Sequence, residues 1–236
     1  MSNEMLALSL TAVSIGFLHT LFGPDHYLPF IMISKAKKWS LLKTSFITFI
    51  CGIGHILSSV VLGIAGLLLG VAVNKLVSIE SLRGEIAAWL LISFGLLYFV
   101  WGIKQAAKNK SHTHEHVHVN DAVHEHNHSH ISGHVHIHDN DTTNITPWVL
   151  FLIFVFGPCE PLIPLVMYPA AKGNSVGVIA VTLIFGLITI TTMLSIVVIS
   201  YLGMSFIPFR RIEKYTHALA GAAIFLCGIA IQFMGL

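Results

Sequence analysis

The sequence predicts an all-α integral membrane protein: six transmembrane helices in two inverted three-helix repeats, each with a broken first helix. Three observations predict it. The 236 residues are 55% hydrophobic and 10% charged, with a mean hydropathy of +0.79, well outside the soluble range. Apolar runs cover 5–34, 41–73, 86–103, 147–171, 176–207 and 217–236, and a helix needs about 20 residues to cross a bilayer core. Finally, a Gly-Pro motif with a polar insert occurs twice, "GPDHYLPFIM" from Gly23 and "GPCEPLIPLVM" from Gly157.

The first run has no positive n-region and no small-residue cleavage site, so it reads as a retained span rather than a signal peptide. It is interrupted at Gly23 and Pro24, with Pro29 beyond. The second run carries "CGIGHILSSVV" and the third "FGLLYFVWGI". The fourth is interrupted at Gly157, Pro158, Pro161 and Pro164. In the fifth, "MLSIVV" at 193–198 resembles "ILSSVV" at 56–61; in the sixth, "AGAAIFLCGI" at 220–229 resembles "FGLLYFVWGI" at 94–103. The matches keep their order, giving a first repeat over 1–103, a His-rich loop over 104–146 and a second repeat over 147–236. An odd number of spans per unit inverts one half relative to the other, an architecture common in secondary transporters. Prolines at membrane depth are tolerated only where the freed backbone faces protein or a wet cavity, so the breaks are expected to line a pathway.

Charge placement orients the chain. The connections after the first, third and fifth spans hold ten Lys and Arg, including Lys35, Lys37, Lys38, Lys43, Arg210 and Arg211; the other side holds Lys75, Arg83 and Lys172. The positive-inside rule then puts the ten on the cytoplasmic side and both termini outside, in a bacterial cytoplasmic membrane. Cys51, Cys159 and Cys227 all lie in apolar runs, which argues against a disulfide framework.

Within the runs the carboxylates are Asp25 and Glu160, both in the breaks, with no Lys or Arg placed as a local partner. A charge at the bilayer centre costs about 3 kcal/mol on insertion scales, which marks both as functional candidates. With imidazoles from His19, His26 and His55 and the thiol of Cys159, they make a central site suited to a cation. Imidazole and carboxylate, with one thiol, favour nickel, cobalt or zinc over magnesium or calcium. Each residue also has a structural reading: Asp25 and His26 as a pair capping a broken helix, His55 as a histidine bonded across helices, Cys159 as a small hydrophobe, and His217 as an interfacial group.

Between Ser111 and Asp139 lie eleven of the chain's fifteen histidines: His112, His114, His116, His118, His124, His126, His128, His130, His134, His136 and His138. The segment has no material for a core and is expected to be disordered without metal and to capture metal ions. No nucleotide-binding motif and no catalytic constellation is present, so the chain reads as a transporter rather than an enzyme. It would have a metal ion as substrate and no prosthetic group. Expected partners are the lipid bilayer, metal ions and a metallochaperone or metalloenzyme maturation factor, with no nucleic acid.

"GFLHTLFGPDHYLPF" followed by "GIGHILSSVV" resembles the nickel/cobalt transporter superfamily, its UreH-type (urease accessory) branch above all, and the His-rich loop resembles the RcnA-type efflux proteins. The resemblance spans about residues 5–236. It implies metal recognition by His19, Asp25, His26 and His55. This chain has five residues between His19 and Asp25 where the family has four, a rotation of about 100° on a helix. "GPCEPLIP" resembles the CcdA/DsbD-type transmembrane thiol-disulfide carriers, which also have inverted three-helix repeats and use one cysteine per half. Here Asp25-His26 stands at the first-half position, so a carrier would have to recruit Cys51 or Cys227. An oxyanion exporter of the TauE type predicts cationic residues near the breaks, and the sequence places none there. A maturation factor that hands metal to an enzyme without net flux is a further alternative.

Overall fold

The computed structural model describes residues 3–108, 114–117, 123–126, 145–205 and 213–234. The chain runs α1 (Asn3–Phe22), a 3-10 turn (Pro24–His26), α2 (Leu28–Ala36), α3 (Leu41–Leu68) and α4 (Val73–Lys108). Two short strands follow, β1 (His114–Val117) and β2 (Val123–His126). The second half is α5 (Ile145–Phe156), α6 (Leu162–Ala171), α7 (Ser175–Ser205), a 3-10 turn (Glu213–Tyr215) and α8 (Thr216–Met234).

Among the described residues five helices are long and apolar enough to span a membrane: α1, α3, α4, α7 and α8 with its preceding turn. Leu42, Leu68, Leu97, Leu187 and Leu226 are exposed on them, as expected of surfaces facing lipid chains. The fourth apolar run is broken, as its prolines predict, into two shorter helices, α5 and α6, of 12 and 10 residues, neither long enough alone to span. In the first run, α1 is itself long enough to span, and the break follows it. The stretch before the third run, predicted as an outward loop carrying Lys75 and Arg83, is instead the opening of the 36-residue α4. Its Glu80 and Arg83 pair with one another, which lets polar sequence continue as helix.

The helices meet through small residues, the usual device where lipid gives little drive for helices to associate. On α1 the buried positions are Ala12, Gly16 and Thr20, spaced by one turn and facing α7. The closest pair is α4 with α8, which run antiparallel. A Cβ on Gly95 would lie 2.3 Å from Phe225 N, and one on Gly221 would lie 2.2 Å from Phe99 N. Likewise Gly102 abuts Ala218 and Gly228 abuts Ile92. These contacts are reciprocal: in the matched stretches 94–103 and 220–229, Gly95 corresponds to Gly221 and Phe99 to Phe225. α1 packs on α7, and α5 on α3.

Composition predicts no fixed structure for the His-rich loop. Its described part is an antiparallel pair of strands whose register sets His114 opposite His126 and His116 opposite His124. The sequence expectations for His112, His118, His128, His130, His134, His136 and His138 fall outside the described residues, as do those for Arg210 and Arg211.

Candidate metal site

α1 stops at Phe22 because Pro24 offers no amide hydrogen and fixes its own φ. The chain makes one 3-10 turn, with the His26 amide bonded to Gly23 O at 3.1 Å, and then starts α2. This turn folds the His26 ring back toward α1 and into the bundle, where it is 2% exposed. Only glycine fits at 23, since a Cβ there would sit 2.5 Å from His26 Nδ1. His19 comes from the last turn of α1, and His55, buried in the middle of α3, from the opposite side.

The three rings form one cluster. Ring centroids are 4.7 Å apart for His19 and His26, 5.0 Å for His26 and His55, and 6.4 Å for His19 and His55. One ligand atom from each lies within 4.8 Å of the others, the single such group among the described residues. An ion held at ~2.1 Å by three imidazoles needs nitrogens roughly 3.4 Å apart, so binding requires a closure of up to about 1.4 Å.

Hydrogen bonding says which nitrogens of His26 and His55 are already engaged. His26 Nδ1 lies 3.1 Å from both Gly23 O and Asp25 Oδ1, and His55 Nδ1 lies 3.3 Å from Phe154 O. Carbonyl and carboxylate oxygens only accept, so Nδ1 carries the hydrogen in both rings and donates it. Their Nε2 atoms are then bare lone pairs. The Nε2 atoms of His19, His26 and His55 are three of the five buried side-chain polar atoms that have no partner among the described residues. Unpartnered buried polar atoms are costly, and three imidazole nitrogens of this kind are chemically suited to ligate a metal ion. Next to them, Asp25, His26, His55, Ala87, Leu91, Ile153, Phe154 and Gly157 enclose a cavity of about 10 Å³.

The structure thus brings together His19, His26 and His55, with Asp25 orienting His26 from a partly exposed position, 24% by side chain. The extra residue before Asp25 does not remove His19 from the cluster, because the 3-10 turn breaks the helical phase between them. Two of the six residues expected at the centre are elsewhere. Glu160 is exposed at the second break. Cys159 is fully buried among Ala12, Ile56, Leu162, Leu165 and Phe185. The turn between α5 and α6 sends these two consecutive residues to opposite sides. His217 stands apart, bonded to Tyr98 at 2.8 Å.

Sequence reasoning missed Glu80 and Arg83. It read them as loop residues and placed no cation near either break, yet Arg83 donates to Val155 O at 2.7 Å and Gly157 O at 3.4 Å, at the second break. The i,i+3 spacing of Glu80 and Arg83 in "ESLRGE" was the signal available.

Fold and site together define a polytopic membrane protein with a buried imidazole cluster beside a broken helix. The family described as "Cytochrome C biogenesis protein transmembrane region" matches residues 28–230, and the chain belongs to it. Neither a curated protein nor a solved structure matches the chain.

Proposed function

We propose that the protein carries divalent transition-metal ions across the membrane, nickel or cobalt first and zinc next, through the site formed by His19, His26 and His55. The observation that carries this reading is the clustering of three rings, one ligand nitrogen from each within 4.8 Å of the others, with an unpartnered Nε2 on each. Three imidazoles with a carboxylate behind one of them suit first-row metals of intermediate softness. The Asp25 carboxylate offsets part of the ion's charge in a medium that offers little water. This agrees with the resemblance of the His19 to His55 region to the nickel/cobalt transporter superfamily.

The proposed machine has six membrane elements, α5 and α6 together serving as the fourth, and moves by rocking one half against the other. The reciprocal glycine contacts between α4 and α8 support a two-fold relation between the halves. The His-rich loop, on the cytoplasmic side by the charge count, collects ions or passes them to a metallochaperone or maturation partner. The test is flux of nickel, cobalt and zinc in proteoliposomes of the purified protein. Uptake of at least one is expected, with a loss of tenfold or more in His26→Ala and His55→Ala; equal flux in all three proteins removes the site from the path.

A second reading, transmembrane thiol-disulfide exchange, is favoured by the family match and by Cys159 at the second break. It predicts that Cys159→Ser abolishes transfer of reducing equivalents to a disulfide on the far side, which is reduced to two thiols, and that His26→Ala does not. Cys159 and Cys51 lie in separate apolar clusters, so within this reading Cys227 is the better candidate for the second thiol.

A further inference from the structure

The most heavily bonded charged group in the bundle takes no part in the cluster above. Glu80 is fully buried and its Oε1 lies 2.6 Å from Arg83 Nη1. Arg83 Nη2 donates to Ser58 Oγ at 2.7 Å, to Val155 O at 2.7 Å and to Gly157 O at 3.4 Å, while Nη1 also reaches Ser59 Oγ at 3.4 Å. Across the break, the Cys159 amide donates to Glu80 Oε2 at 3.3 Å. α4 can come this close because residue 84 is glycine: a Cβ there would lie 2.8 Å from Pro158 Cγ.

The placement follows the unsatisfied groups of the broken helix. At the end of α5 the Gly157 amide donates to Ile153 O and Phe154 O, and the guanidinium supplies donors to the carbonyls beyond them, Val155 O and Gly157 O. The amide of Cys159, past the break, meets a carboxylate. A cation at a helix C-terminus and an anion before the next helix each match the local backbone dipole. Burying such a pair is costly and is weak evidence for stability alone. What it does here is hold one irregular segment in one place.

That segment carries the contact that orients His55. Phe154 O, which accepts from His55 Nδ1, is the residue before Val155, whose carbonyl Arg83 holds. Gly157, also held by Arg83, lies against the same ring: a Cβ on it would be 3.0 Å from His55 Nδ1. We infer that Glu80 and Arg83 are positioning residues, a clamp that fixes the α5–α6 break against α3 and α4 and thereby sets the tautomer and aim of His55 in the metal site. Arg83 is consumed by this network of carbonyls, hydroxyls and Glu80, which argues against its serving as a receptor for an anionic substrate.

The inference about His55 rests on the proposed metal reading; the clamp on the break does not, and two readouts separate them. In a Cys51→Ala, Cys227→Ala background, Cys159 is the sole thiol and is fully buried. Releasing the clamp with Arg83→Gln is expected to raise its labelling rate by a membrane-permeant maleimide about tenfold, and an unchanged rate overturns the clamp. In the full-length protein, the visible spectrum and affinity of bound Co(II) report the ligand set. Arg83→Gln is expected to weaken Co(II) about tenfold and to shift its spectrum toward that of His55→Ala, adding little when combined with it. A wild-type spectrum in Arg83→Gln, or effects that simply add to those of His55→Ala, overturn the positioning role. Arg83→Gln leaves Glu80 buried without its partner, so Glu80→Met with Arg83→Met, which removes both charges, is measured beside it and is expected to give the same two changes. If the wild-type protein binds no Co(II), the metal reading and the role assigned to His55 both fall, and the labelling result alone decides the clamp.

Discussion

At Asp25 a carboxylate sits 3.1 Å from Nδ1 of an imidazole whose other nitrogen has no partner among the described residues. Its work is to keep the hydrogen on Nδ1 and leave Nε2 bare. Asn can accept the same hydrogen bond but brings no charge, so Asp25→Asn is expected to lower metal affinity about 10- to 100-fold with the fold intact. Titration of Co(II) alongside circular dichroism checks both halves; unchanged affinity would show that Gly23 O alone fixes the ring. His19, Asp25, His26 and His55 were legible because polar groups stand out in apolar sequence, and their cost demands a reason. Glu160 and Cys159 were not, since whether a residue in a tight turn faces inward is decided by the turn's dihedrals, which spacing does not encode. Glu80 and Arg83 were hidden for a different reason. Charges outside an apolar run read as loop, and only tertiary packing showed that they pair inside.

Helix packing supplies a sharper test than composition, because glycines that look alike in sequence differ in what surrounds them. On α4 and α8, Gly95 and Gly221 face backbone atoms at 2.3 and 2.2 Å from where a Cβ would stand. On α3, a Cβ at Gly63 meets nothing within 4 Å. Gly221→Ala must therefore push α8 off α4, at a cost of about 1–3 kcal/mol, as overpacking does in tight interiors. Gly63→Ala gains up to about 1 kcal/mol from helix propensity. Thermal unfolding in one detergent is expected to move in opposite directions for the two; a shared direction would mean that the helix pair is looser than its geometry. Long apolar elements were legible from hydropathy, and the resemblance of 94–103 to 220–229 marked the stretches that turn out to touch. The start of α4 was not legible, because hydropathy locates the lipid-facing part of a helix and is silent about a polar turn capped by its own ion pair.

The whole molecule joins a bundle to a segment of very different chemistry. The first-half helices α1 and α4 pack directly on α7 and α8 of the second half, so the assembly does not depend on the intervening loop for its contacts. The register of the described ladder pairs His114 with His126 and His116 with His124, and in the sequence H-x-H spacing continues on either side. On the proposed reading, tethered ligands of this kind raise the local concentration of an ion near the bundle without altering the imidazole cluster. The consequence is kinetic and separable. Deleting residues 112–138 is expected to raise the metal concentration for half-maximal flux by about 3- to 10-fold and to leave the maximal rate within about a factor of two. Flux measured over a range of nickel and cobalt concentrations, with the metal on the loop side, distinguishes the two parameters. A collapse of the maximal rate at saturating metal would place the loop in the conduction path and make the imidazole cluster only one of two sites in series. An unchanged concentration dependence would instead leave the loop's histidines to a partner protein, since ions would then reach the membrane site equally well without them.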